Sequence, residues 1–364
     1  MKKILSVIGS LNTGGLQTVA INCMKYAPQD FCFDYVVFGD KVSQFEKNLE
    51  LEYRAKVYHI TSPNINVWSF LKEFSQIIKN TNYDIVHSHI FMTSGPVLMI
   101  SKINKIPVRI AHAHSMKRSN KLPVYRKIYY SLCRILICCA VTKACACSEA
   151  SGRYVFGERL YNKKGFFMPN CIDVEKFKFD KKTRTQVRNR LGIGEDIFLI
   201  GMVSRFEEDK NQSFLVDVLK KIENPHIKIA FIGDGSKHKE VEKKVNDLLL
   251  EERVLFLGNR NDVNVILNSL DLFVLTSRHE GFSLVIMEAL ANGLTCFAEM
   301  HAIPKEIKEF KECRFVDGFC VDDWVREIKE YICYAQIVDR MAPEGIDNYD
   351  IQRFAGYVRD LYLE

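Results

Sequence analysis

Short apolar segments alternate with amphipathic helical patterns along the whole chain of 364 residues. In the first half, the segments that favour β-strands are Lys3–Ile8, Phe33–Phe38, Lys56–Ile60, Asp84–His87, Val108–Ala111 and Ala144–Cys147. In the second half, they are Phe198–Val203, Lys228–Ile232, Val254–Leu257, Asp271–Leu275 and Cys296–Ala298. Between them apolar residues recur at helical spacing, as in Val67–Lys79. This alternation predicts an α/β fold with parallel, doubly wound sheets and crossover helices.

A polar, strongly basic stretch from Phe177 to Gly194 interrupts this pattern. We place a domain boundary there and expect two similar Rossmann-like domains, residues 1–180 and 181–346, that face a cleft. The remaining segment, residues 347–364, reads as a helix from Tyr349 onward.

The composition is that of a soluble globular protein, with 47% hydrophobic residues and a mean hydropathy of −0.09. The apolar run within Met1–Gly9 is too short for a signal peptide, and no run reaches the roughly 20 apolar residues of a membrane-spanning helix. The twelve cysteines follow no metal-binding or disulfide spacing. We therefore expect reduced core thiols in a cytoplasmic protein.

The net charge is +6, and basic residues concentrate in Lys117–Lys127 and Lys176–Arg190. The simpler interpretation of these clusters is solvated surface. The alternative is attraction to an anionic membrane face or to a phosphorylated acceptor. Acidic residues interleave elsewhere and no nucleic-acid motif occurs, so nucleic acid is not an expected partner.

The segment Ser277–Glu288 carries the strongest functional signal. Glu280 and Glu288 bracket Gly281, Phe282 and Ser283, directly after a predicted strand. The helix that starts near Ser283 offers free amide groups to a phosphate, and Gly293 is placed to end it. Glu288 would then accept hydrogen bonds from ribose hydroxyls, and Glu280 would bind a sugar. The alternative is a helix cap at Glu280 and a solvated Glu288.

A second candidate site follows the strand Phe198–Val203, where Arg205 and Lys210 lie five residues apart. A guanidinium binds two phosphate oxygens at once and an ammonium adds a compact charge, so the pair suits a diphosphate. The alternative is two surface cations without a ligand. The chain contains no Asp-x-Asp motif to hold a bridging Mg²⁺. We therefore expect no metal and no cofactor, and fixed cations must neutralise a leaving diphosphate.

In the first domain, Gly14 and Gly15 follow the first strand and precede a helix, where glycine lets the backbone approach a ligand closely. A tight turn without a ligand is the alternative. The segment lacks the Gly-x-Gly-x-x-Gly dinucleotide fingerprint, so a nicotinamide cofactor is not supported.

Four histidines follow two predicted strands as His87-Ser-His89 and His112-Ala-His114. Three interpretations stay open: residues that line the cleft and bind a sugar or its acceptor, structural histidines, and a zinc site. Zinc is the least favoured, because spacing alone supplies no further type of ligand.

The ordered set of motifs resembles the family-4 retaining glycosyltransferases of the GT-B fold, over nearly the whole chain. The matching pieces are Gly14-Gly15, Asp84–His89, Pro169–Asp173, Val203–Arg205 with Lys210-Asn211, Phe231–Gly235, and Glu280–Glu288. Arg109–His114 and Ala146–Ala150 look most like the bacterial capsule and exopolysaccharide enzymes. Thr276-Ser277 stands where relatives carry Pro-Ser, and His301-Ala302 where they carry Gly-Gly.

The resemblance implies a donor site in the second domain. Arg205 and Lys210 would grip the diphosphate, Glu288 the ribose and Glu280 the donor sugar, while the Gly14-Gly15 loop would approach the diphosphate or the acceptor. His114 or His112 would face the transferred sugar. The final helix would cross back to the first domain.

The resemblance further implies transfer from a nucleotide sugar, with UDP preferred, to a glycan or a lipid-diphosphate-linked acceptor. Peripheral contact with the inner membrane face would then involve a surface such as Tyr125–Cys139, although we favour a buried helix for that stretch. The competing interpretations are a sugar-nucleotide epimerase of the same fold and a non-catalytic nucleotide-sugar-binding subunit.

Overall fold

The computed structural model describes residues 1–11, 15–40, 42–115, 123–334 and 340–363. The chain divides into two compact units, the first comprising Met1–Cys171 with Gln352–Glu364 and the second Ile172–Ile351. Each unit is built on one parallel β-sheet, which confirms the predicted α/β class. In the described part of the chain, no helix combines the length and the apolarity that a bilayer-spanning helix needs.

The first unit contains a seven-stranded parallel sheet in the order β3-β2-β1-β4-β5-β6-β7. Its strands are β1 Lys2–Val7, β2 Phe31–Phe38, β3 Val57–Ile60, β4 Ile85–Ser88, β5 Val108–Ala113, β6 Lys143–Ala146 and β7 Gly165–Phe167. Its helices are α1 Gly15–Lys25, α2 Gln44–Tyr53, α3 Val67–Asn80, α4 Ser94–Ile103, α5 Val124–Ala140, α6 Glu149–Phe156 and α7 Glu158–Lys164. The near-continuous burial of strands such as β4 is typical of a sheet covered on both faces.

The second unit contains a six-stranded parallel sheet in the order β10-β9-β8-β11-β12-β13. Its strands are β8 Phe198–Val203, β9 Ile227–Ile232, β10 Val254–Phe256, β11 Leu272–Leu275, β12 Cys296–Glu299 and β13 Cys313–Val316. Its helices are α8 Val174–Phe177, α9 Lys181–Leu191, α10 Gln212–Lys221, α11 His238–Asp247, α12 Val263–Leu267, α13 Leu284–Ala291, α14 Lys305–Lys308 and α15 Val321–Tyr334.

All eleven predicted strands exist, with ends that shift by one or two residues, and Phe198–Val203 keeps its predicted bounds. Two edge strands were missed, because β7 is only three residues long and β13 is short and buried only at its two end residues. Gly293 adopts a φ of 72° just beyond α13, as expected of a glycine that ends a helix.

The basic stretch predicted as solvated surface is largely a helix of the second unit. Asp180 caps α9 by accepting from the backbone amides of Lys182 and Thr183. On its inner face, Arg184 and Arg188 are buried and both pair with Asp271, at 2.6 and 3.2 Å. The surface interpretation is therefore wrong for these two arginines. The second unit begins at Ile172, before this helix, rather than after residue 180.

The last helix, α16, spans Ile351–Leu363, and from Gln352 onward it belongs to the first unit. The ammonium of Lys143 donates to the carbonyl oxygens of Asp360 and Leu361, at 3.0 and 2.8 Å. The buried ring of Tyr362 packs against Phe31 and Phe33. The chain end is therefore part of the first unit's core.

Two expectations about buried groups need correction. All twelve cysteines are free thiols, but Cys138, Cys139, Cys320 and Cys333 are exposed rather than in the core. The stretch Tyr125–Cys139 is not a buried helix either, because α5 buries one face and exposes apolar side chains on the other.

Candidate functional site

The carboxyl ends of β8 and β11 bring the two predicted donor-binding segments together. These strands are hydrogen-bonded neighbours, with Ile200 opposite Leu272, and the chain order runs outward from them in both directions. In open α/β sheets such a reversal leaves a crevice beyond the carboxyl ends of the strands, where ligands bind. The loop after β8 carries Arg205 and Lys210, and the loop after β11 carries Glu280.

Two glycines hold the loop that carries Arg205 in place. Gly233 has a φ of 134°, and a Cβ atom there would collide with the carbonyl oxygen of Ser204. A Cβ atom on Gly235 would lie 2.5 Å from the carbonyl oxygen of Phe206. The loops after β8 and β9 thus pack backbone against backbone. Arg205 itself is exposed, and its guanidinium forms no hydrogen bond or ion pair with the residues the structure describes.

Lys210 and Glu280 form an ion pair across the two loops. Lys210 Nζ lies 2.8 Å from Glu280 Oε1, and the two side chains are only 18% and 12% exposed. The backbone amide of Glu280 donates to the carbonyl of Ala302 at 3.0 Å, which fixes the loop from behind. A partly buried cation and carboxylate therefore meet at the edge of the sheet.

Thr276 sets the position of the Lys210 backbone. Its buried hydroxyl lies 3.1 Å from the carbonyl of Lys210 and 3.0 Å from that of Asn211. The amide of Arg278 donates to the carbonyl of Asp209 at 2.7 Å. Asn211 adopts a left-handed φ of 59° before α10 begins. The end of β11 thus clamps the turn that presents Lys210.

Two buried hydroxyls near the N-terminus of α13, at the same sheet edge, lack hydrogen-bond partners among the described residues. Ser283 precedes the helix but makes no capping hydrogen bond, and its buried Oγ atom has no partner among the described residues. The buried Oγ of Ser277 is likewise without one in that part of the chain. Buried polar groups without partners are uncommon, and a bound anion would satisfy them together with the helix amides.

Phe282 and Gly281 are buried just before α13. The ring of Phe282 packs against that of Tyr349, with centroids 5.6 Å apart. This contact anchors the loop within the second unit. The expected part of Gly281 and Phe282 in donor binding stays a prediction.

Glu288 lies on the first turns of α13, half-buried. Burial raises the pKa of this carboxyl to about 7, and the positive charge of Lys176 opposes the rise. A carboxyl of this kind exchanges protons near neutral pH and can donate or accept a hydrogen bond. Perturbed carboxyls of this kind concentrate at functional sites.

The first unit brings all four predicted histidines together, because β4 and β5 are adjacent strands. His87 Nε2 lies 3.2 Å from His112 Nδ1, and His89 Nδ1 lies 2.8 Å from His114 Nε2. The hydroxyl of Tyr362 contacts His87 Nδ1 at 2.8 Å. The last helix thus contributes to a cluster that sequence spacing alone could not complete.

Burial keeps these histidines neutral. It lowers the pKa of His87 and His114 to about 3, and that of His89 and His112 well below the usual value. Nitrogen atoms of His87, His89 and His112 lie within 4.8 Å of one another, so a ligand set for a metal exists in outline. The ring centroids of His87 and His89 lie 4.0 Å apart, as do those of His112 and His114, so the four rings form one close-packed cluster.

The predicted glycine loop lies partly outside the described residues. Gly14 lies outside the described residues, and Gly15 is the exposed first residue of α1, directly beyond β1. The expected approach of this loop to a ligand therefore stays a prediction.

Comparison with known families agrees with this architecture. A family model described as Glycosyltransferase Family 4 matches residues 13–176, and one described as Glycosyl transferases group 1 matches residues 183–341. The chain belongs to glycosyltransferase family 4. The predicted family and enzyme class are thereby confirmed.

Two relatives of this glycosyltransferase align over nine-tenths or more of both chains. The capsular polysaccharide biosynthesis glycosyltransferase CapH of Staphylococcus aureus is 26% identical and aligns over 91% of each chain. The Escherichia coli UDP-Gal:alpha-D-GlcNAc-diphosphoundecaprenol alpha-1,3-galactosyltransferase is also 26% identical, over 96% of this chain and 94% of the other.

The fold of this glycosyltransferase matches a solved structure over its whole length. The crystal structure of Anabaena HepE in complex with UDP-glucose superposes with a TM-score of 0.81, at 20% identity, over 99% of each chain. This likeness confirms the predicted GT-B fold.

Sequence reasoning missed two contributors to the sites. Thr276 was noted only as a departure from a family pattern. A hydroxyl-bearing residue in place of proline could have indicated a hydrogen bond at this position. Tyr362 gave no signal, because its link to His87 spans 275 positions.

Proposed function

We propose that this glycosyltransferase moves a sugar from a UDP-sugar to a hydroxyl of a lipid-diphosphate-linked glycan, with retention of anomeric configuration. The observation that carries the donor site is the meeting of Lys210 and Glu280 beside the unsatisfied hydroxyls of Ser277 and Ser283 at the start of α13. The UDP moiety is supported by the relative that uses UDP-Gal and by the fold neighbour solved with UDP-glucose.

The leaving diphosphate would be held without a metal. Arg205, which has no side-chain partner in the described chain, supplies a planar fork for two phosphate oxygens. Lys210 supplies a second positive charge, and the amides of α13 with Ser283 supply hydrogen bonds. All three are in place before the reaction, so they stabilise the charge that develops on the diphosphate with little reorganisation.

The two glutamates would bind the rest of the donor. Glu288 accepts from the ribose hydroxyls, and its pKa of about 7 lets it also donate when protonated. Glu280 binds a hydroxyl of the transferred sugar with the oxygen that Lys210 leaves free. The ion pair with Lys210 orients the Glu280 carboxylate toward that hydroxyl.

The chemical step breaks the bond between the anomeric carbon and the diphosphate oxygen. The acceptor oxygen bonds to the same face of that carbon, and its proton passes to the departing phosphate. No protein base is needed for this balance. The neutral histidine cluster of the first unit supplies, at His114 or His112, a hydrogen-bonding group for the transferred sugar.

The relatives support a proposal for the acceptor and for the cellular location. One acts on a sugar linked to diphosphoundecaprenol, and another serves capsular polysaccharide synthesis. We propose the same class of acceptor, bound by the first unit, and surface polysaccharide synthesis as the process. An acceptor of this kind is anchored in a membrane, so we propose that the enzyme works in the cytoplasm at the inner membrane face.

The test begins with binding. A panel of nucleotide sugars is screened by thermal unfolding, where a UDP-sugar should raise the midpoint by several degrees at saturating concentration. UDP release is then followed with and without a polyprenyl-diphosphate-linked sugar. Arg205→Ala should reduce turnover by about 10²–10³-fold. Arg326→Ala, an exposed arginine that pairs with Asp323 on α15, should not.

Three outcomes would contradict the proposal. If no UDP-sugar stabilised the protein, the proposed donor would be wrong. If Arg205→Ala left turnover unchanged, the proposed binding of the diphosphate by Arg205 would be wrong. Conversion of the nucleotide sugar without any acceptor would indicate an epimerase instead.

A further inference from the structure

The four clustered histidines of the first unit lie on one face of its sheet. His87 and His89 are two positions apart at the carboxyl end of β4, so their side chains share a face, and His112 and His114 repeat this arrangement at the end of β5. In the register of the two strands, His87 lies opposite Ile110, which sets His89 opposite His112. The four rings therefore form one row across neighbouring strands rather than two separate pairs.

This row of rings is shielded from solvent. His87, His89 and His112 are at most 2% exposed, and His114, at one end of the row, is half-buried. Burial lowers the pKa of the first three rings and keeps them neutral. A neutral imidazole offers a lone pair to a metal ion, whereas an imidazolium offers none.

Three ring nitrogens of the row have no hydrogen-bond partner. Within the described chain these are the buried Nε2 atoms of His89 and His112 and the buried Nδ1 atom of His114. Buried polar atoms of proteins are almost always satisfied, by protein groups, ordered water or an ion. Three unsatisfied nitrogens among four adjacent side chains therefore indicate a shared ligand.

The spacing of the nitrogens suits a transition-metal ion. One ring nitrogen from each of His87, His89 and His112 lies within 4.8 Å of the other two. His87 Nε2 and His112 Nδ1 are 3.2 Å apart, close to the separation of about 3.3 Å between two nitrogen ligands of tetrahedral zinc. The remaining pairs would have to close by at most about 1.5 Å to reach the same separation. Small rotations of the His89 ring provide movements of this size.

Two neighbouring side chains hold the rings in the orientation that metal binding requires. A histidine that binds a metal usually donates its second N–H group to a nearby acceptor, which fixes the ring. The hydroxyl oxygen of Tyr362 lies 2.8 Å from His87 Nδ1, and His114 Nε2 lies 2.8 Å from His89 Nδ1. These contacts leave the Nε2 atoms of His87 and His89 to face a metal.

We propose that His87, His89 and His112 bind one transition-metal ion, for which zinc is the test ion, and that Tyr362 and His114 orient two of these ligands. Imidazole nitrogens favour zinc, copper, nickel or iron, whereas magnesium and calcium need oxygen ligands. Three histidines with a fourth position left for solvent form a known coordination of zinc. Spacing along the sequence could not complete this set, because the third ligand comes from the neighbouring strand.

The metal ion would take no part in holding the diphosphate, and its link to the proposed function passes through His114. With a metal on Nε2 of His89, the ring proton lies on Nδ1 and is donated to His114 Nε2. His114 then carries its own proton on Nδ1 and can donate it to a hydroxyl of the transferred sugar. This last step rests on the proposed function, whereas the metal site rests only on the geometry of the first unit.

The experiment uses the full chain, prepared without a polyhistidine tag so that no added histidines bind metal. Metal content is measured by elemental analysis after purification, and zinc is then titrated into chelator-treated protein in competition with a chromogenic chelator. One zinc ion per chain should bind and should raise the midpoint of thermal unfolding. Cobalt(II) is the spectroscopic probe, because a tetrahedral site gives intense visible absorption that octahedral cobalt lacks.

Substitutions test the ligands and their supports separately. His89→Gln and His112→Gln each remove a ligand nitrogen but keep a polar side chain, and each should weaken zinc binding by about 100-fold or more and abolish the cobalt absorption. Tyr362→Phe keeps all three ligands and should weaken zinc binding by about 10–100-fold. Urea unfolding without metal shows which variants fold, and either ligand variant suffices for the test.

Two further histidines serve as controls. His59→Gln changes a histidine of the same unit that contacts Glu46 instead of the cluster, and it should bind zinc as the unmodified protein does. His301→Gln tests the other group of the described chain whose ligand atoms lie close together, formed with Glu299 and Asp317. This variant should also bind zinc normally.

The metal site is rejected if the chelator-treated protein binds no zinc, in which case buried water satisfies the nitrogens. It is also rejected if both ligand variants bind zinc as tightly as the unmodified protein, or if His301→Gln alone abolishes binding. Stabilisation by UDP-sugars is measured on the metal-free and the zinc-loaded protein. Zinc binding without any response to UDP-sugars would reject the donor site alone, and the reverse result would reject the metal site alone.

Discussion

The Nζ atom of Lys210 lies 2.8 Å from Oε1 of Glu280, although 70 positions separate the two residues along the chain. The pair exists because β8 and β11 are neighbours and each delivers its following loop to the same sheet edge. A donor bound at the proposed site would therefore meet a charged pair that is already oriented. Both partners are mostly buried, so removal of either leaves the other without its partner in a poorly solvated place.

Loss of the ammonium should impair catalysis more than folding. In Lys210→Ala, the transition-state charge on the diphosphate loses one cation, and kcat should fall by about 10²–10³-fold. Lys244→Ala is the matched control, because Lys244 also forms a short ion pair, at 2.6 Å to Asp217, but lies on the α11 side of the unit. Initial rates of UDP release measure both. Equal rates in the two variants would show that Lys210 has no special role.

The hydroxyl of Thr276 should matter through the position of Lys210. Thr276→Val keeps the shape but removes the hydroxyl that lies against the carbonyls of Lys210 and Asn211. We expect a loss of about 1 kcal/mol in unfolding free energy and a weaker affinity for the donor. Thr276→Ser retains the hydroxyl and should restore donor affinity. Thr185→Val, on the exposed surface of α9, should leave that affinity unaffected.

The buried histidines should make the protein sensitive to mild acid. Their native pKa values lie below the usual 6.5, to about 3 for His87. Between pH 6.5 and pH 3 the unfolded chain therefore binds more protons than the native protein, and stability falls as the pH falls. At pH 5 His87 alone should remove about 2 kcal/mol relative to pH 7.

Urea unfolding at pH 7 and pH 5 tests this expectation. The pH window excludes most ordinary carboxyls, which titrate below pH 5 in the unfolded chain. Replacement of His87 by Phe should reduce the difference in unfolding free energy between the two pH values. A stability that does not change between pH 7 and pH 5 would rule out a neutral buried cluster.

The contribution of Glu288 to stability should change with pH in the opposite direction. Its native pKa is raised from 4.5 to about 7 by burial, so the native protein holds this proton more tightly than the unfolded chain does. The stability that this provides is present below pH 4.5 and is lost as the pH rises through 7. Gln does not titrate, so Glu288→Gln should gain up to about 3 kcal/mol relative to the unmodified protein between pH 4 and pH 8.

Donor affinity should fall in the same variant if Glu288 binds ribose. Measurements of unfolding free energy and of UDP-sugar binding on Glu288→Gln therefore separate the two effects. Normal donor binding by this variant would contradict the proposed ribose contact but would leave the pKa argument intact.

The Asp271 cluster should be needed for the second unit to fold stably. Asp271→Asn leaves Arg184 and Arg188 buried without their carboxylate, and breaking a buried pair in this way costs about 3–5 kcal/mol. The partly exposed Asp262, paired with Arg260 at 2.7 Å, offers the control Asp262→Asn, which should cost at most about 1 kcal/mol. Denaturant unfolding of both variants gives the comparison, and similar losses would show that burial of the cluster adds nothing.

Much of the architecture was predictable because its signals are local. Strand Phe198–Val203 is an apolar run bounded by polar residues, and Gly293 ends a helix because it can adopt a positive φ. The loops with Arg205 and Glu280 could be assigned to a ligand site, since each follows a buried strand of a parallel sheet. For the same reason the family resemblance could be recognised from short motifs in a fixed order.

Other features depended on which segments meet in space. The ion pair of Lys210 with Glu280 requires that β8 lie beside β11, and strand pairing is a non-local choice that no short window encodes. The sequence predicted Arg184 to be a surface charge, but in the fold its guanidinium lies 2.6 Å from the carboxylate of Asp271. Helix α5 shows the same limit, because its amphipathic pattern cannot say whether its second apolar stripe, with Ile128 and Leu132, meets protein or solvent.

The sequence by itself thus determined, to within one or two residues, where most strands lie and which loops follow them, because backbone propensity and hydrophobic period act over a few residues. Tertiary structure alone decided which charges are paired, which histidines are excluded from solvent and which apolar helix face is exposed. Those properties depend on the dielectric surroundings and on partners that the fold supplies from distant parts of the chain.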